Sequence, residues 1–364
     1  MSALNFAIWA SEASTNTPRQ LIISELHVNL WKLDETDSDS VIDFGILYKK
    51  PSFNHVINFF IDYDKDLTCN DLNYLLTDSS EVLYTIFNDF LHEESCKNHY
   101  NSSKLVRPIE EKIYTPAKQR PLQARIKKNH KSEFKNNDDR KNFCVFQLSD
   151  QNYEIKKFSR GRLIEFTGTP NNVERCTNCI SDNAYIRFRL KGSFIEDSFV
   201  CDESATSKLQ KFTSRLTIIE TKINVLRTLP TSIREKLQIS HPEIKKINFF
   251  MMCPSKDSIE IASTPHSSVR CLEGEIWNRY FDKVDKYTSH TQKIFAYQWK
   301  KTGEKNNNAI RGFEDYSLMI RIKSDIMSIW RVLGVGTLVL CGGLFINGVF
   351  SLLECYLPKI LSSQ

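Results

Sequence analysis

The sequence predicts an α+β fold, with mixed or antiparallel sheets and a few packing helices, followed by one C-terminal transmembrane helix. Three observations predict it. Apolar and polar residues alternate in short runs, as where Leu26, Val28 and Leu30 enclose His27 and Asn29, which is the pattern of strands with one buried face. Apolar residues recur at helical spacing between Leu209 and Leu229. Residues 332–353 form 22 consecutive positions without a charge, and a helix of roughly 20 apolar residues crosses the ~30 Å hydrocarbon core of a bilayer.

Residues 1–100 read as a small α+β unit. The β-branched and aromatic runs at 41–48 and 56–63 are strands, separated by polar clusters such as DETDSDS. Asp62, Asp64 and Asp66 open like a calcium loop, but Leu67 stands in place of the sharp-turn glycine and Asn73 in place of the bidentate glutamate. An acidic, solvated turn is expected instead. Val82, Leu83, Ile86, Phe87, Phe90 and Leu91 make one apolar helical stripe.

Residues 101–142 break the pattern. Three prolines interrupt them, and 12 Lys or Arg face 5 Asp or Glu between Lys104 and Lys141. Sparse apolar residues cannot offset the entropy of ordering, so a basic, flexible linker is expected, with Lys127 and Lys128 at its centre.

Residues 143–328 read as a second α+β unit. In one strand Ala184, Ile186, Phe188 and Leu190 alternate with Tyr185, Arg187, Arg189 and Lys191. Leu209, Phe212, Leu216, Ile219, Ile223, Leu226 and Leu229 predict a long amphipathic helix over 205–229, stopped by Pro230, and Ser232 with Glu235 predicts a capping box for a short helix after it. Strands then resume as far as 322.

The uncharged run predicts a transmembrane helix over 329–355. Arg321, Lys323 and Arg331 precede the uncharged run, so the positive-inside rule places the N-terminal region in the cytoplasm. The expectation is a single-pass, tail-anchored membrane protein. Gly334, Thr337, Cys341, Asn347 and Gly348 supply small and polar helix-packing positions, which favour a homo-oligomer in lipid.

Chemistry is sparsely marked. There is no GxGxxG, Walker-type loop or GxSxG. Cys176 and Cys179 form a CxxC, with His92, Cys96 and His99 far away in sequence and no second CxxC, so no metal site is assigned. An ExK on a strand at Glu154 and Lys156, with Asp138 and Asp139 upstream, suits a metal-dependent nuclease, but ExK recurs at Glu110, Glu133, Glu220 and Glu243. No catalytic, cofactor or metal residue is therefore assigned. Arg187, Arg189 and Lys191, with Lys127 and Lys128, are the basic-surface candidates. They suit nucleic acid or anionic lipid. The layout as a whole reads as a non-enzymatic membrane protein whose cytosolic region senses or binds a partner and whose span oligomerises. An effector in stress or antiviral defence has this plan. The alternative is a membrane-tethered nuclease.

Overall fold

The fold comes from a computed structural model, which describes residues 3–32, 40–49, 55–73, 91–94, 112–116, 143–145, 153–158, 160–167, 183–202, 214–272, 293–306, 309–325, 336–337 and 339–351. Strands dominate it. The first six are β1 (Leu4–Glu12), β2 (Pro18–Arg19), β3 (Ile22–Trp31), β4 (Val41–Lys49), β5 (His55–Ile61) and β6 (Thr68–Asp71). Next come β7 (Leu91–Glu94), β8 (Lys112–Pro116), β9 (Phe143–Val145), β10 (Tyr153–Phe158), β11 (Gly161–Thr167) and β12 (Asn183–Lys191). A short helix, α1 (Ser193–Glu196), leads to β13 (Val200–Cys201) and β14 (Ser214–Ile223). The helix α2 (Thr231–Ser240) precedes β15 (Glu243–Ile244), β16 (Lys246–Pro254), β17 (Asp257–Ala262), β18 (Ser268–Cys271) and β19 (Ile294–Thr302). A small hairpin of β20 (Glu304–Asn306) and β21 (Ala309–Arg311) is followed by β22 (Tyr316–Asp325). Residues 339–351 are helical and are called α3.

Two mixed sheets carry the fold. The first runs β10-β11-β5-β1-β14-β22-β17, with β2 on β1 and β13 on β14. The second runs β18-β19-β16-β3-β4-β12-β9-β8-β7, with β15 on β3 and β6 on β12. They pack face to face. Alternation along each strand supplies one apolar face to the shared core: Phe6 and Ile8 from β1, Phe59 from β5 and Ile320 from β22 meet Val28 from β3, Phe44 from β4 and Phe188 from β12. Aromatic rings bridge the sheets, with centroids 4.9 Å apart for Phe6–Phe44, 4.6 Å for Phe44–Phe59 and 4.7 Å for Phe166–Phe188. The open end is tied by Lys32, whose Nζ donates to Asp257 Oδ2 at 2.5 Å and to Ser324 Oγ at 2.8 Å.

The outer face of the first sheet is covered by α2. Ile233 and Leu237 pack with Trp9, Phe60 and Leu163, and Lys236 lies 5.6 Å from the centroid of the Trp9 ring.

This architecture corrects the α+β expectation: the molecule is a β-sandwich. The two sheets also interleave the two expected units. β1 pairs with β14, β3 with β16, β4 with β12 and β5 with β11, so in each sheet two adjacent strands from 1–100 are flanked on both sides by strands from 143–328. Residues Ser214–Ile223 form a strand between β1 and β22 instead of the core of a helix over 205–229. Within the expected linker, Lys112–Pro116 is a strand between β7 and β9. Its neighbours on both sides, and the apolar stripe from Val82 to Phe90, lie outside the described residues.

The transmembrane expectation is corrected as well. Among the described residues no helix is long and apolar enough to cross a membrane. Helix is found at 336–337 and 339–351. Residues 329–335, 338 and 352–355 lie outside the described residues. The tail-anchored, single-pass assignment and the membrane localisation with a cytoplasmic N-terminal region rested on that span, and neither is retained.

Candidate functional site

The outer face of the second sheet is polar and buried. Alternation places Glu25, His27, Asn29 and Trp31 of β3 on this face, beside Asp43 and Gly45 of β4 and Tyr185, Arg187 and Arg189 of β12. The register sets Arg187 across from Gly45, which lies across from His27, while Arg189 is across from Asp43 and Asp43 across from Asn29. Charged residues seldom sink this far unless paired, and the pairing here is dense.

Asp43 is one centre. Arg189 donates to it through Nε at 2.6 Å and Nη2 at 3.1 Å, a fork-to-carboxylate geometry. Trp31 Nε1 adds a third donor at 2.7 Å. Arg187, also fully buried, brings Nη2 to 3.9 Å from the same carboxylate. With its oxygen turned toward Arg187, the Asn29 amide accepts from Nη2 at 2.5 Å.

Glu25 is the other centre. Its Oε1 receives Lys246 Nζ at 2.6 Å and Asn248 Nδ2 at 2.5 Å, and lies 2.9 Å from His27 Nε2. His27 Nδ1 is 3.2 Å from the Tyr185 hydroxyl, which also accepts from Arg187 Nη1 at 3.2 Å. The donors fix the protons. Arg187 can only donate, so the Tyr185 proton is directed at His27 Nδ1. Neutral His27 then carries its proton on Nε2 and gives it to Glu25. A chain of hydrogen bonds thus runs from Glu25 to Arg187, and the Arg187 charge faces the Asp43 centre.

Burial governs the titration of this face. It holds His27 below its ordinary range, helped by the nearby Arg187 and Lys246 charges and opposed by Glu25. Burial pushes Glu25 upward, but the neighbouring His27 and Lys246 outweigh it and keep the carboxyl well below the usual range. With His27 neutral, Glu25 is kept ionised by Lys246 and by the two N–H donors. Tyr185 is raised, chiefly by burial. A raised phenol and a fully enclosed histidine can hold one another in place, but they do not present a nucleophile to solvent.

The sequence-derived candidates fall in different places. Arg187 and Arg189 lie in this network with 0% exposure, so they do not form an open basic face. Lys191 ends the same strand, half-buried. Lys127 and Lys128 lie outside the described residues, as do Gly334, Asp138, Asp139, Cys176 and Cys179. Thr337, Cys341, Asn347 and Gly348 are exposed helical residues. Added Cβ atoms at Gly336, Gly342, Gly343 or Gly348 would meet nothing within 4 Å.

Two of the ExK motifs, at Glu154 and Glu220, have a plain explanation. Residues two apart on a strand share a face, so lysine and glutamate pair there. Lys156 Nζ lies 3.3 Å from Glu154 and 2.6 Å from Glu165 across the ladder. Lys222 reaches Glu220 at 2.7 Å. Asp62 and Asp66 of the acidic turn are likewise held by Arg160 at 2.9 Å and Arg162 at 2.8 Å. Among the described residues no group of three or more His, Cys, Asp or Glu is placed to hold a metal ion.

Sequence reasoning missed Glu25, His27, Asp43 and Gly45. The signal was present as Glu, His and Asn at alternate positions of one strand, which puts three polar residues on one face. No family model matches the chain, and no curated protein matches it.

Proposed function

We propose that this chain is a non-enzymatic binding module: its β-sandwich engages a partner, and α3 joins copies of the chain to one another. The observation that carries the reading is the surface of α3. Val339, Leu340, Leu344, Phe345, Ile346, Val349 and Phe350 are all exposed, Leu344 at 72% and Phe345 at 73%. A helix that is apolar all round is normally buried, and contiguous exposed apolar surface marks an interaction site.

The charge pattern indicates a second copy as occupant. Residues 336–351 contain no charged residue, so a charged partner gains nothing there. The other large apolar residues exposed among the described ones, Ile155, Ile239, Ile261 and Val269, sit singly on β10, α2, β17 and β18. The described residues therefore offer no matching patch away from α3, whereas α3 of a second copy matches by symmetry. The small residues Cys341 and Gly348 lie on one side and allow two helices to approach closely. The idea that the effector acts on a membrane rested on the span and is not carried forward.

Sedimentation velocity of the full chain at micromolar concentration tests this. The wild type should sediment as an oligomer. Leu344→Glu should shift it to monomer by burying a charge at the contact, and Gly348→Leu should weaken it by holding the helices apart. A wild-type chain that is monomeric throughout the range would sink the proposal.

A further inference from the structure

The polar face of the second sheet changes character toward its β18 edge. At β4 and β12 it is enclosed, as it is at Asn248, Met252 and Ala296 of β16 and β19; it opens at Phe250, Gln298 and Lys300 and along β18. Register fixes which side chains share the open part. Lys300 stands across from Asn248, and Gln298 across from Phe250. Arg270, one strand further out, lies across from Ala296 and places its guanidinium 5.9 Å from the centroid of the Phe250 ring. Arg270 and Lys300 are exposed, and Phe250, Gln298 and Lys246 are half-buried. These three strands put no Asp or Glu on this face.

We infer that this open face binds single-stranded nucleic acid. An aromatic ring with a guanidinium stacked over it gives a base a planar platform. Lys300 beside that platform, together with the charge of the Arg270 guanidinium within it, supplies positive charge where phosphates would run. The Gln298 amide donates one N–H to Asn248 Oδ1 at 3.3 Å and accepts from Ser268 Oγ at 2.9 Å, which leaves its second N–H and one oxygen lone pair for a base edge. Three strands at ~4.8 Å spacing give a platform about 10 Å wide, enough for one or two nucleotides and too narrow for a duplex. An acidic peptide would use the cations but has no need of the ring or the amides. The inference rests on reading the sandwich as a binding module and is independent of assembly through α3. A contact here also reaches the buried centre, because Asn248 donates to Glu25 and Glu25 holds His27.

The test is fluorescence anisotropy of short labelled oligothymidine and oligouridine with the full chain, across a salt series. Saturable binding is expected. Lys300→Ala and Arg270→Ala should each weaken it about threefold to tenfold and lower the salt slope by about one. Phe250→Ala should weaken it about tenfold with the salt slope unchanged, with circular dichroism confirming the fold. Lys65→Ala removes an exposed cation paired to Asp197 at 3.0 Å, away from this face, and should change nothing. Four results would overturn the inference: no binding at low salt, equal losses in Lys65→Ala, full binding in both Phe250→Ala and Arg270→Ala, or equal competition by polyglutamate, which would make the partner an acidic peptide. Repeating the titration with Leu344→Glu separates this outcome from that of the assembly proposal.

Discussion

Gly45 has no room for a side chain. A Cβ there would overlap the Tyr185 hydroxyl and sit 3.0 Å from Arg187 Nη1. The missing methyl lets side chains from β12 reach over β4 to His27 on β3, so one glycine makes the hydrogen-bonded chain geometrically possible. The alternation of Tyr185, Arg187 and Arg189 with apolar neighbours was legible in the sequence. Their burial was not, because it depends on Asp43, which is 146 positions from Arg189, and charged residues are expected outside by default. The enclosed histidine gives a pH dependence. Folding holds His27 below its ordinary 6.5, while the unfolded chain takes up that proton near ~6.5. Between the folded and unfolded values the unfolded state binds more protons, so stability falls as pH drops through this window and is fully present above it. Glu25 is also lowered from 4.5, so its loss of stability begins only in the more acidic carboxylate range. Urea unfolding midpoints measured from about pH 7.5 to about pH 5 should therefore decline in the wild type and decline less in His27→Gln. Parallel curves for the two proteins would show that His27 does not carry the effect.

At the scale of elements, β14 shows why spacing misled. Leu216, Ile219 and Ile223 are buried, and their separations of three and four suit a helix. Yet Thr217, Ile218, Ile219, Thr221 and Ile223 are β-branched, which lowers helix propensity and favours a pleated surface. Buried and half-buried residues alternate over Thr221, Lys222 and Ile223, and both edges of the strand are paired. Pro230 was read as the stop of a helix; its actual place is the start of α2, where its fixed φ fits and its missing N–H costs nothing. Ser232 then falls inside the helix, and no side-chain cap forms. The other end of α2 stores a correctable strain. His241 closes the helix at φ 41°, donating its N–H to Leu237 O at 2.9 Å. Glycine adopts this left-handed conformation without the Cβ penalty. The His241–Glu314 contact, at 4.0 Å between exposed side chains, is a loss of little consequence. His241→Gly should raise stability by about 0.5–1 kcal/mol, read as a higher denaturation midpoint with an unchanged slope. A drop in midpoint would mean that the histidine makes a contribution its geometry does not reveal.

At the scale of the whole molecule, connectivity decides what can be separated. Local patterns in 1–100 and 143–328 each suggest strands, and nothing local records that the strands of one region pair with those of the other. β1 lies between β5 and β14, so its two ladders join residues 4–12 to 55–61 on one side and to 221–223 on the other. In the second sheet β3 and β4 are enclosed between β16 and β12. Removing either region would leave the remaining one with open ladder edges and half of the aromatic core, including Phe6, Phe44 and Phe59 on one side and Phe166 and Phe188 on the other. Unpaired edges of this length invite aggregation, and half a core cannot offset the entropy of ordering the chain. Such long-range pairing also places the protein among slow folders. Fragments 1–100 and 143–364 made separately should therefore each lack cooperative unfolding and aggregate. Produced together, they should associate and recover a single cooperative transition. A chain nicked between Lys104 and Lys141 should likewise stay together under native conditions and come apart only in denaturant. Two nicked pieces that part under native conditions, each with its own melting transition, would restore the division into separate units. Failure of the paired fragments to associate would instead place the 101–142 connection itself among the determinants of folding, which the strand β8 between β7 and β9 makes a specific claim about residues 112–116.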